Sequence, residues 1–253
     1  MAKYDATFWR RVLTHAETGG LMGTLKRMVE NQEQKVTVAL VDNLAEHEIL
    51  EGLLEESKPG GLFHKRLQRL DYLLRTPWRY PPLKWGSRFG RRFEPSLFYG
   101  ALSDAALFAE AAYYRLVFLE GMEKPFSDRV ISQFTVFEAN YQTDKGMDLT
   151  RAPFTRHEKV LRHKSKYLPC QELGTELRER GIEAITYLSA RADGDEVNVA
   201  LFSPVALRSR KHRNPRHGLC ETRTDGVSFR LGDELHLLPR KAFLDKGRFP
   251  IPA

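Results

Sequence analysis

Apolar residues recur at two different spacings along this chain, and the change of spacing divides it in two. Phe8, Trp9, Val12 and Leu13 have helical spacing, and Gly19-Gly20 breaks the run. A second helix is expected over Leu21 to Glu30. Asn43 caps a third over Leu44 to Glu56, with Glu46 in the capping-box position and a stripe through Leu50, Leu53 and Leu54. SKPGG ends that helix, and Leu62 to Leu74 reads as one more. Residues 1–70 are therefore expected to form a helical extension, with its acidic side in solvent.

Beyond residue 71 strand signals alternate with helices. RVISQFTVFEAN is rich in β-branched and aromatic residues, so it predicts a strand. Gln171 to Arg180 predicts a helix that stops at Gly181. IEAITYL and VNVALF predict a hairpin turning at Asp193-Gly194, and Asp225-Gly226 marks another turn before the strand DELHLL. Asp148 to Lys166 has no period and reads as a solvated basic loop. This mixture predicts an α+β catalytic domain over 71–253.

Composition narrows the class. With 253 residues, 42% hydrophobic and 29% charged, the chain can bury a sizeable core. A formal net charge of +7 favours anionic partners. Two cysteines, Cys170 and Cys220, make no disulfide framework. No apolar run approaches membrane-spanning length, and two arginines break FWRRVL as a signal core. A cytoplasmic protein without membrane contact is expected. RSRKHRNPRHG, the densest positive run, reads as an exposed loop or as a contact for an acidic partner or nucleic-acid backbone.

Candidate chemistry concentrates between Arg75 and Leu119. TPWRYPP is expected to be stiff extended backbone, since its prolines fix φ and restrict the residues before them. GSRFGRRFEP follows, then the apolar SLFYG. A helix starts at the Ser103-Asp104 cap. Within it, Glu110 is the one charged residue between Ala105 and Tyr114, so it is either paired or kept for use. Arginine forks suit phosphate, aromatic faces suit a flat base, and a carboxylate suits a sugar hydroxyl or developing cation. A core helix whose Glu pairs with a nearby arginine explains the same residues. GSRFG lacks the dinucleotide-fingerprint spacing, and no metal-ligand cluster or Gly-rich phosphate loop appears.

These blocks resemble the RES domain of bacterial toxin–antitoxin pairs, named for its Arg, Glu and Ser. The resemblance runs through RYPPLKWGSRFG, LFYG and ALFAEAAYYR, then ITYLSARADGDEVNVALFSP, from about Leu73 to Leu207. It implies an ADP-ribosyltransferase-like fold, with split, mostly antiparallel sheets around a cleft. It also implies an enzyme with NAD as substrate and no tightly bound cofactor, acting as phosphorylase, glycohydrolase or mono-ADP-ribosyltransferase. Arg79, Glu110 and Ser189 match the family's named triad, and Tyr80, Arg88 and Tyr99 match associated NAD-binding residues. Arg75, Arg91 and Arg92 compete for the phosphate role. An antitoxin of helix-turn-helix type is the implied inhibitor, and a protein is one candidate acceptor of ADP-ribose. The competing reading is a basic nucleic-acid-binding or RNA-cleaving protein, which the charge supports but which leaves Glu110 and the Ser-Ala-Arg turn unexplained.

Overall fold

The computed structural model describes residues 3–30, 46, 64–79, 84–123 and 129–252. Its strands are β1 (Gly19–Glu30), β2 (Phe98–Ala101), β3 (Val130–Asp148), β4 (Ala184–Leu188), β5 (Val197–Leu201), β6 (Arg213–Arg223), β7 (Gly226–Leu231) and β8 (Glu234–Pro239). They form one sheet in the order β1-β2-β5-β4-β3-β6-β7-β8, and β1 also pairs with β3. Among these pairings only β3–β4 is parallel.

The expected antiparallel α+β architecture is present, but as one sheet divided at β3 rather than two separate ones. Residues 134–146 of β3 pair with β1, while 130–138 pair with β6 and 146–148 with β4. Because β1 touches both β2 and β3, five strands close into a ring; β6, β7 and β8 continue outward as a meander.

The helices are α1 (Ala6–Leu13), α2 (His64–Leu67), α3 (Tyr72–Arg79), α4 (Asp104–Glu120), α5 (Glu158–Leu161) and α6 (Leu168–Glu179). Helix α4 starts where Ser103 Oγ accepts the Ala106 N–H at 3.1 Å. Its apolar residues, including Phe108, Tyr113 and Leu116, bury against Phe134 of β3 and Cys220 and Phe229 of the meander. Helix α1 lies against α6. Trp9 is fully buried and donates from Nε1 to Pro169 O at 2.8 Å, and Arg10 pairs with the buried Glu176 at 2.8 Å. Burying an indole of this size contributes about 1.5–3 kcal/mol.

Three expectations are corrected. Leu21 to Glu30 is not a helix but most of β1, paired along its length with β3, so the extension over 1–70 is helical only in part. Part of RSRKHRNPRHG is β6, since Arg213 onward finds backbone partners on β3. TPWR is not extended: Pro77 lies inside α3, which Asp71 caps by accepting the Leu74 N–H at 2.9 Å, and the helix ends two residues later. The helix expected over 44–56 lies outside the described residues, apart from the helical Glu46.

Candidate active site

A cleft of about 550 Å³ opens between β1, β2, α4 and the β4–β5 hairpin. That size suits a small organic ligand. Glu110, on the second turn of α4, reaches into it. Ser189 Oγ donates to Glu110 Oε1 at 2.7 Å, and Asn198 Nδ2 donates to the same oxygen at 2.9 Å. Neither donor is exposed: Ser189 is 0% accessible and Asn198 2%. Glu110 Oε2 carries no hydrogen bond among the described residues, so one carboxylate oxygen is fixed and the other is available.

The β4–β5 connection is itself pinned. Arg162 donates from Nε to Ser189 O at 2.9 Å and from Nη2 to Gly194 O at 2.7 Å. The basic stretch from 148 to 166 is thus a prop for the hairpin rather than a bare solvated loop.

Arg88 and Tyr99 also line the cleft. Arg88 is buried; its Nη1 donates to Leu161 O and His163 O, both at 3.0 Å, and its guanidinium lies 4.7 Å over the Tyr167 ring. Nη2 has no partner among the described residues. Burial works against the charge, but Tyr167, Cys170 and the Glu110 carboxylate favour it, and the balance lies above the ordinary arginine pKa. One side of this fork is therefore structural and the other is free. Tyr99 shares a hydrogen bond with Ser87 Oγ at 2.9 Å and accepts the Phe89 N–H at 3.0 Å. Burial pushes its phenol up to about 12, so it is a neutral brace for the loop before β2.

Arg79 closes α3, whose Thr76 and Pro77 line the cleft, and Tyr80 lies outside the described residues. The competing arginines do not line the cleft. Arg91 pairs with Glu172 at 2.5 Å, Arg92 lies over Phe93, and Arg75 lies over Tyr72.

Sequence reasoning missed Arg27 and Asn198. Arg27 lines the cleft from β1, donates from Nη1 to Tyr99 O at 2.7 Å and covers the Phe98 ring at 5.0 Å. Its Nε has no partner, and no carboxylate among the described residues pairs with it. Burial alone lowers its pKa to about 10. In a strand it shares a face with the fully buried Leu25 two residues before it; in the expected helix it would have been a solvated flank. The Asn-Val-apolar pattern after the serine was the one signal available for Asn198. Among the described residues no cluster of His, Cys, Asp and Glu is arranged to hold a metal ion.

The family profile of the RES domain matches residues 64–222, well over half of the chain. The chain belongs to the RES domain family. Glu110, Ser189, Asn198 and Arg88 fall inside the matched RES segment, whereas Arg27 lies upstream of it. Among solved structures, a similar chain occurs in the crystal structure of the M. tuberculosis MbcT–MbcA toxin–antitoxin complex. It is 12% identical, with 82% of this chain and 89% of that chain covered, at a TM-score of 0.47. No curated protein matches this RES chain by sequence.

Proposed function

We propose that the chain cleaves NAD at the nicotinamide–ribose bond, as the toxin of a toxin–antitoxin pair. The observation that carries this reading is Glu110, held through Oε1 by two buried donors, in a cleft that arginines also line. Breaking the C1–N bond returns its electron pair to the ring nitrogen of nicotinamide, which is already cationic and needs no acid. The ribose is left as an oxocarbenium ion, with charge spread over C1 and the ring oxygen. A fixed carboxylate stabilises that charge without reorganising, and it also accepts from the ribose hydroxyls. Guanidinium groups from Arg27 and Arg88, together with Arg79, serve the diphosphate. No bond to the protein is required. Phosphate, water or a protein side chain completes the reaction by attacking C1, which would make the enzyme a phosphorylase, a glycohydrolase or an ADP-ribosyltransferase.

An enzyme that consumes NAD in the cytoplasm of its own cell must be restrained. An antitoxin chain that covers the cleft is the restraint this reading requires, and acidic groups on that chain would match the cationic wall. The test is to incubate purified protein with NAD, with and without phosphate, and to follow nicotinamide release. Products then separate free ADP-ribose, its phosphate ester and labelled protein. Glu110→Gln should lower turnover by on the order of 10² or more. In a bacterium the wild type should arrest growth and deplete NAD, while Glu110→Gln is tolerated. Healthy growth with normal NAD under strong soluble expression would sink the reading.

A further inference from the structure

Two polar atoms in the cleft, the Tyr114 hydroxyl and Asn198 Oδ1, are not used by the chemistry above. Tyr114 sits one turn beyond Glu110 on α4, so both side chains leave the same face of the helix. Its hydroxyl lies 3.3 Å from that of Tyr167, and Arg191 Nη2 donates to Tyr167 at 2.9 Å. Arg191 is buried, with its guanidinium 3.3 Å from the Tyr113 ring centre.

Donor counting fixes the direction of this chain. Arginine only donates, so Tyr167 accepts from Arg191 and has one proton of its own to give. Tyr167 is 1% exposed, and Tyr114 is the acceptor within its reach. The reverse arrangement would strand the Tyr167 proton in the interior without an acceptor, which is costly. Tyr167 therefore donates to Tyr114, and the Tyr114 proton is left for the cleft that Tyr114 lines. A phenol ordinarily ionises at pH ~10, so at neutral pH Tyr114 is a neutral donor.

Asn198 offers the complement. Its Nδ2 is committed to Glu110, which fixes the amide orientation because a carboxylate oxygen can only accept. Its Oδ1 is then a buried acceptor without a partner, again in the cleft wall. A neutral O–H donor and an orphaned amide oxygen thus belong to two residues that line the same cleft as the carboxylate. One group with a carbonyl oxygen and an N–H fits both.

We infer that Tyr114 and Asn198 recognise the primary carboxamide of the nicotinamide ring, Tyr114 through its oxygen and Asn198 Oδ1 through its nitrogen. Tyr167 and Arg191 are positioning residues that aim the Tyr114 proton. The inference rests on the NAD reading above and adds a specificity: an uncharged carboxamide, with one donor and one acceptor contact.

The experiment compares NAD with its 3-acetylpyridine analogue, which keeps the carbonyl oxygen and lacks the N–H. Wild type, Tyr114→Phe, Tyr167→Phe and the double variant are measured with each. Tyr114→Phe should lower kcat/KM about tenfold on both substrates with ADP-ribose binding unchanged, and should also lose some thermal stability because the Tyr167 hydroxyl then lacks its acceptor. The acetyl analogue should bind the wild type about tenfold more weakly than NAD. Tyr167→Phe should show part of the Tyr114→Phe loss, and the double variant should be no worse than Tyr114→Phe alone. Full activity in Tyr114→Phe overturns the inference, as does equal binding of the two substrates or additive losses in the double variant. If the wild type leaves NAD intact, the NAD reading has failed first, and the inference falls with it.

Discussion

Ser189 gives its hydroxyl proton to Glu110 because both of its lone pairs are already claimed. Its Oγ accepts the backbone N–H groups of Arg191 at 3.1 Å and Ala192 at 3.2 Å, and donates to Glu110 Oε1 at 2.7 Å. The rotor is fully determined, so the serine orients the carboxylate and has no freedom to act as a nucleophile. Ser189→Ala should lower NAD turnover by about 10- to 100-fold, the range for losing a hydrogen bond to a charged group. It should also cost about 1–3 kcal/mol of stability, since two amides lose their acceptor. Nicotinamide release and denaturant unfolding check the two parts; wild-type turnover would mean that Asn198 alone holds Glu110.

Arg27 separates binding from stability. It is a half-buried cation without a carboxylate partner among the described residues, which costs the fold unless a ligand supplies the anion. Its folded pKa is lowered to about 10 from 12.5 by burial. The unfolded chain therefore holds the proton more tightly, and the destabilisation is fully present at neutral pH. It is relieved only as pH rises through about 10. Arg27→Met should weaken NAD binding by roughly 1.5–3 kcal/mol while the melting temperature holds or rises. Lower melting with unchanged calorimetric binding would assign Arg27 to the scaffold.

Gly174 is where α6 meets the loop that carries Arg88. A Cβ there would lie 2.0 Å from Phe89 O, and Gln171 Nε2, one turn earlier, donates to Trp85 O and Ser87 O. Gly174→Ala gains about 1 kcal/mol of helix propensity, but it must displace backbone, at a cost of about 1–3 kcal/mol. A net loss of stability together with weaker NAD binding is expected. Gly20→Ala, where nothing lies within 4 Å, is the matched control and should change neither.

His163 makes the prop under Arg88 sensitive to acid. Its Nδ1 accepts the N–H groups of Ser165 at 3.2 Å and Lys166 at 3.1 Å, which protonation would break. Burial first, then Lys166, Arg88 and Arg191, lower its pKa from 6.5 against an opposing pull from Asp245. The unfolded chain then takes up the proton first, so stability falls as pH drops through 6.5. His157, also lowered by burial, acts in the same direction. Urea unfolding at pH 7.5 and 5.5 should show the loss, and His163→Asn should reduce it without abolishing it.

The elements with strong local signals were legible from sequence. The Ser103 cap, the lone Glu110 and the serine turn with its following strand all fall where their residues indicate. What was hidden depends on long-range pairing. Leu25 and Arg27 share a face only if Gly19–Glu30 is a strand, and that strand is made by β3 more than a hundred residues later. The Arg213 run is likewise held by β3 backbone while its side chains stay charged and exposed, so composition alone reads it as loop. Asn198 gave little warning because its role comes from a hydrogen bond to Glu110 across 88 residues.

That separation has a consequence for synthesis. The carboxylate that would stabilise the sugar cation is made early, but its amide partner on β5 arrives almost ninety residues later. At roughly 5–20 residues per second, a ribosome spends several seconds between the two. Through that interval β1 has no β3 to pair with and then no closed ring, and Glu110 has no fixed orientation. On the NAD-cleaving reading, a nascent chain that ends before β5 would lack the fixed carboxylate. The hazard would begin only once β5 has emerged, and a restraining partner would have until then to be present.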